Sequence, residues 1–72
     1  MIMPKYKVGD CLLDLLSKDI RNIVKINDNE YEYDHYIKAN NYWMIDYWSH
    51  KHFDNIKAVK VSFKLVKILY CK

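Results

Sequence analysis

His35 and Asp46 are the side chains whose types best suit acid–base chemistry, because a carboxylate that orients an imidazole is half of a proton-transfer device. Two strands joined at Asn40-Asn41 would set them opposite each other, with Asn22 next in the row. No Ser or Cys nucleophile falls beside them. A row of polar groups that satisfy one another inside a sheet is the plainer reading, since buried polar groups need partners. His50 and His52, with Asp46 and Asp54 nearby in sequence, offer imidazole and carboxylate ligands of the kind zinc takes. At that spacing, and with no Cys beside them, they fit a solvated loop better. No metal and no other cofactor is expected.

Three further groups point to binding. Glu30, Glu32 and Asp34, with Asp28 before them, would lie along one side of a strand about 6.7 Å apart. Phosphates along a nucleic-acid strand have a broadly similar separation, so such a ladder can imitate nucleic acid to a basic groove. The alternative is a solvated outer face that Lys25 partly neutralises. Tyr36, Trp43, Ile45 and Tyr47 form an apolar cluster of the type favoured as interface anchors. A second reading of the cluster is a small core covered by Leu65–Tyr70, and both stand at this stage. Lysines 57, 60, 64, 67 and 72 make a basic C-terminal segment. Lys60, Lys64 and Lys67, with Trp43 and Tyr47 as stacking surfaces, give a nucleic-acid-binding alternative; without interleaved Arg, a solubilising face is simpler.

The elements that must position these residues centre on Tyr31–Trp48, which holds seven of the chain's eleven aromatics. Glu30–Lys38 and Tyr42–Trp48 read as strands, with Asn tolerating the turn between them. Ile20–Asn27 alternates and leads through the turn signal Asp28-Asn29 into the first of these. Two-residue loops would set Ile26, Val24, Asn22 and Ile20 opposite Tyr31, Tyr33, His35 and Ile37. They would also set Ile37, His35 and Tyr33 opposite Met44, Asp46 and Trp48. One face is then apolar: Ile20, Val24, Ile26, Tyr31, Tyr33, Ile37, Met44 and Trp48. The other carries Arg21, Ile23, Lys25, Glu32, Asp34, Tyr36, Trp43, Ile45 and Tyr47. Cys11–Leu16 reads as a further strand after the Val8-Gly9-Asp10 bend. Ser49–Asn55 reads as a helical turn capped by Ser49. Ile56–Tyr70 fits either period, and its Val, Ile, Phe and Tyr content favours a strand over a helix.

With 72 residues the chain makes one domain. A domain of this size buries only ~60% of the surface its unfolded chain exposes, which leaves little material for a deep catalytic pocket. A non-enzymatic protein is expected. Lys, Asn, Ile and Tyr are abundant and Thr and Gln are absent, as in proteins from AT-rich coding DNA of a low-GC bacterium, its phage or a plasmid. Two cysteines, no signal-peptide pattern and no long apolar run lead to the expectation of a reduced, cytoplasmic location without a membrane span. All nine acids lie within residues 10–54, whereas residues 55–72 contain five lysines and no acid. That is not the profile of a dedicated DNA-binding body.

Lys7-Val8-Gly9-Asp10, the three-stranded meander and the Ser49–Asn55 connector ahead of Ile56–Val61 together resemble the small SH3-like barrels. The resemblance covers residues 7–61, with 1–7 as lead-in and 62–72 as a C-terminal extension. It implies an all-β domain of about five antiparallel strands, with a helical turn before the last. With this composition the chain looks like the small SH3-like proteins of phages infecting low-GC bacteria. Such a likeness implies an accessory protein that binds and inhibits a host protein, with an anti-CRISPR-like action on a defence nuclease as one form. SH3-like barrels bind peptides, proteins or nucleic acid and rarely catalyse. The partner surface expected here is Tyr36, Trp43, Ile45 and Tyr47 with Glu30, Glu32 and Asp34.

Overall fold

The structure, a computed structural model, describes residues 4–70. Cys71 and Lys72, at the end of the expected extension, lie outside the described residues, as do residues 1–3 of the lead-in. Five antiparallel strands form one sheet: β1 (Cys11–Asp14), β2 (Ile20–Ile26), β3 (Glu30–Ile37), β4 (Tyr42–Ser49) and β5 (Ala58–Val61), in the order β4-β3-β2-β1-β5. Two helices complete the fold, α1 (His50–Phe53) and α2 (Phe63–Tyr70). Aromatic and β-branched residues dominate β2 to β4, as a pleated, half-buried surface favours. The sheet is not closed into a barrel, because β4 and β5 remain its two edges.

The loops explain where the register departs from expectation. Asn27 donates its N–H to the Glu30 carbonyl across Asp28-Asn29, and Ile26 faces Tyr31 as expected. A bulge at Val24 then shifts the rest of β2 by one residue. Ile23, not Val24, faces Tyr33; Arg21, not Asn22, faces His35; and Ile20 faces Tyr36. Val24 is exposed, Arg21 and Ile23 join the core face, and Ile20 crosses to the other. The loop between β3 and β4 has four residues, not two, and Asn41 takes the left-handed conformation at φ 55°. Tyr31 therefore faces Trp48, Tyr33 faces Asp46, and His35 faces Met44. A two-residue slip preserves which face each side chain joins, so this error left the faces intact.

Each face of the sheet supports its own small core. On the first, Leu12, Ile23, Tyr31 and Tyr33 pack beneath Tyr6 and Phe53, with Ile26, Trp48, Ile56 and Ala58 around them. Phe53 is brought there by α1, which Ser49 caps as expected by accepting the His52 N–H at 3.2 Å. Its ring lies 4.9 Å from Tyr31 and 5.1 Å from Tyr33. The Tyr31 hydroxyl donates to Asp54 at 2.7 Å and accepts the Tyr6 N–H at 3.1 Å, tying β3 to α1 and to the lead-in. On the second face, Cys11, Ile20, Tyr36 and Val66 are buried with Leu13, Trp43, Val61 and Phe63.

The segment that fitted both periods is a short strand followed by a longer helix. Ser62 makes the switch: its hydroxyl accepts the Leu65 N–H at 3.3 Å and its carbonyl the Val66 N–H at 2.9 Å. The expected strand thus ends at Val61, and the extension folds back as α2.

Phe53→Ala should cost about 3–5 kcal/mol, a large share of the stability of a domain this small. Thermal melting or a urea midpoint measures it. A variant melting within a few degrees of wild type would mean that α1 does not close the first core.

Candidate functional site

The polar side chains of the first face gather in two groups, one around Arg21 and one around His35. Arg21, turned inward by the bulge, donates to Asp14 at 2.8 Å with both groups buried. Its guanidinium lies 4.8 Å over the Trp48 ring, a favourable cation–π distance. Asp14 also accepts the N–H groups of Leu16 (2.8 Å) and Ser17 (3.1 Å). Burial by itself would raise the Asp14 carboxyl, but these N–H groups and the Arg21 guanidinium outweigh it and hold the group below its ordinary range.

His35 sits between two carboxylates. Its Nε2 is 2.8 Å from Asp19 and its Nδ1 is 3.4 Å from Asp46. Asp19 also accepts the Lys38 N–H at 3.0 Å, fastening the β1–β2 connection to the end of β3. The expected row of Asn22, His35 and Asp46 is corrected: Asn22 stands on the opposite face, and Asp19 takes its place. A hidden bulge and a loop contact between residues far apart in sequence left no signal for this. The polar partners of His35 are carboxylates, and Cys11 lies on the other face with its thiol pushed up to about 11 by burial. Tyr33 is likewise pushed up to about 12, by burial first and the Asp46 charge second. The arrangement fastens a corner of the sheet.

His50 and His52 pack against different rings. His50 is buried against Tyr31 at 4.7 Å, whereas His52 stands edge-on to Trp48 at 4.3 Å. Among the described residues no group of three or more His, Cys, Asp or Glu gathers at metal-binding distance.

The second face divides in two. At one end α2 covers it: Tyr36 is 2% exposed, and Trp43 packs edge-on against Phe63 at 5.7 Å. The Tyr36 hydroxyl donates to the Asn41 side chain. Of the two readings of the cluster, Tyr36 follows the second: it is a core residue under the C-terminal segment and not a surface anchor. At the other end Ile45 and Tyr47 remain 49% and 48% exposed. The cross-strand pairs there are Asp34 with Ile45, Glu32 with Tyr47 and Glu30 with Ser49, with Lys25 opposite Glu32 on the far side. The structure thus joins the acidic ladder to the open half of the aromatic cluster, on two adjacent strands.

The lysines do not share a surface. Lys60 faces Leu12 on the first face and pairs with Asp10 at 3.5 Å. Lys64 and Lys67 project from α2, which covers the second face; the Lys67 ammonium lies 5.2 Å over Phe63. No helix among the described residues is long and apolar enough to cross a membrane. Comparison of the chain with protein-family models, with curated proteins and with solved structures gives no match.

The depressed Asp14 carboxyl makes a pH prediction. Its contribution to stability is complete above its unfolded value of about 3.9 and is lost as pH falls through the lower folded value. Asp14→Asn should therefore melt well below wild type at pH 7, and the gap should close below about pH 4. Melting curves taken down to about pH 2.5 measure it. A gap independent of pH would remove the ion pair from the account.

Proposed function

We propose that this protein is a non-enzymatic binding module that docks a protein partner on the open half of its second sheet face. One observation carries the reading: Ile45 and Tyr47 stand half exposed, side by side with Glu32 and Asp34. Tyr31, Tyr33 and Tyr36 in the same sheet are buried. Large apolar side chains framed by charge are the usual make-up of an interaction patch, the apolar groups supplying affinity and the charges steering.

The finer fold reading is an SH3-like barrel left partly open. A meander of β2 to β4, a one-turn helix before β5 and the return of β5 to β1 support it. The finer functional reading is a phage-type accessory protein that inhibits a host protein, with a nucleic-acid-handling or defence nuclease as the fitting target. The resemblance and the acidic ladder support that. A basic groove that normally receives phosphate would accept Glu30, Glu32 and Asp34.

Capture from nuclease-treated extract of a low-GC bacterium, followed by affinity measurement on the recovered partner, tests the module. Tyr47→Ala should weaken binding by about thirtyfold or more, the equivalent of ~2 kcal/mol, while melting changes little. Glu32→Lys should slow association and reduce its salt dependence. Trp43→Ala, whose ring packs against Phe63, should instead lower the melting temperature. Undiminished binding by both Tyr47→Ala and Glu32→Lys would refute this surface.

A further inference from the structure

The strand that carries the open patch is also an edge of the sheet, and Asp46 is the single charge that guards it. β4 pairs with β3 without interruption from Tyr42 to Ser49, contains no Pro, Gly or Lys, and has a single charge, Asp46. Proteins normally blunt such an edge with a short strand, a bulge, a Pro or a Lys, because unpaired N–H and C=O groups template another strand. The opposite edge follows that rule, since β5 has four residues and includes Lys60.

The ladder shows which groups are offered. His50 donates its N–H to Asn29 at 2.9 Å, in line with the β3–β4 register. Bonded pairs alternate along an antiparallel ladder, so Met44, Asp46 and Trp48 bond inward, and Ile45 and Tyr47 turn their N–H and C=O outward. The Tyr47 N–H is held instead by the carboxylate of its neighbour, Asp46, at 2.8 Å.

The geometry points to strand addition on β4 by an extended partner segment in which basic and apolar residues alternate. This rests on the binding-module reading and names the partner's chemistry and manner of docking. An incoming carbonyl would take the Tyr47 N–H in place of the Asp46 carboxylate, which keeps His35 beside it on the first face. The basic row would lie beside Ile45 and Tyr47, within reach of Glu32 and Asp34 one strand further in, and the apolar row on the face of Met44, Asp46 and Trp48. The acids of that face are Glu30, Glu32 and Asp34, and Lys25 on β2 is the cation paired into the ladder. A second copy of this chain would bring a β4 with no Lys or Arg to meet the ladder, so charge selects a basic strand.

The probe is a capped synthetic octapeptide of alternating Lys and Val, titrated into the full chain labelled with nitrogen-15. Binding should slow hydrogen exchange at the Ile45 and Tyr47 amides. N-methylating the set of peptide amides that face β4 should weaken binding by about tenfold or more, because it removes the shared hydrogen bonds, while methylating the other set should be tolerated. A Glu-Val peptide should not bind.

Equal binding by both methylated peptides, with side-chain signals of Ile45 and Tyr47 shifting, would overturn strand addition and leave docking on the face intact. No protection at any peptide concentration would also overturn strand addition, with the Tyr47→Ala affinity measurement deciding separately on the face. Protection of the same amides without peptide, rising with protein concentration as the mass doubles, would overturn it in favour of self-pairing.

Discussion

Ile23 is held through both of its backbone groups: its N–H donates to the Asp10 carbonyl and its own carbonyl accepts the Gly9 N–H, each at 2.9 Å. The chain reaches that position through a bend in which Gly9 takes φ 96°, a conformation that residues with a Cβ resist. This grip and the bulge at the next residue work together. Without the bulge, Arg21 and Ile23 would lie on the second face, and Asp14 would be a buried carboxylate with no cation. With it, Ile23 fills the first core, Arg21 meets Asp14, and Ile20 becomes available to Tyr36 on the other side. Two small cores on one sheet depend on this single irregularity.

The chain's own pattern made the architecture readable and concealed the irregularity. Three strands in a row, the turn at Asp28-Asn29 and the Ser49 cap follow from local chemistry that needs only neighbouring residues, and the structure has all of them. The bulge could not be read that way, because Ile20, Val24 and Ile26 make a plausible stripe on an unbroken strand. What decides against that stripe is the contact with Gly9 and Asp10, made through backbone groups that leave no mark in the residue types. The four-residue loop before β4 was missed because Asn40-Asn41 satisfies a two-residue loop equally well. Its cost was small, since a slip of two keeps every side chain on its face.

The candidate site was half readable for a related reason. Residue types identify Tyr36, Trp43, Ile45 and Tyr47 as one apolar row, and the register keeps them on one face. Which of them meet water is set by α2, which starts only because Ser62 caps it. Val66 and Phe63 of the helix pack over Tyr36 and Trp43, whereas Tyr47 stays half exposed. The acidic ladder needed no such help, because its alternation places it beside the uncovered end whatever the register of β2. The polar row of the first face was the least readable part, since Asp19 joins His35 from a loop.

The same helix decides the state of the sheet's edges. Closing a sheet into a barrel requires its first and last strands to pair, and closure alone removes both edges. Here β5 ends at Val61 because Ser62 turns the chain into α2, so the last strand has only four residues and pairs with β1 alone. The residues that would have lengthened it are used to bury Val66 and Phe63 against Trp43, Tyr36 and Ile20. A second core and a closed barrel are therefore competing uses of one segment. The chain adopts the core, and β4 keeps an open edge beside the patch of Ile45, Tyr47, Glu32 and Asp34.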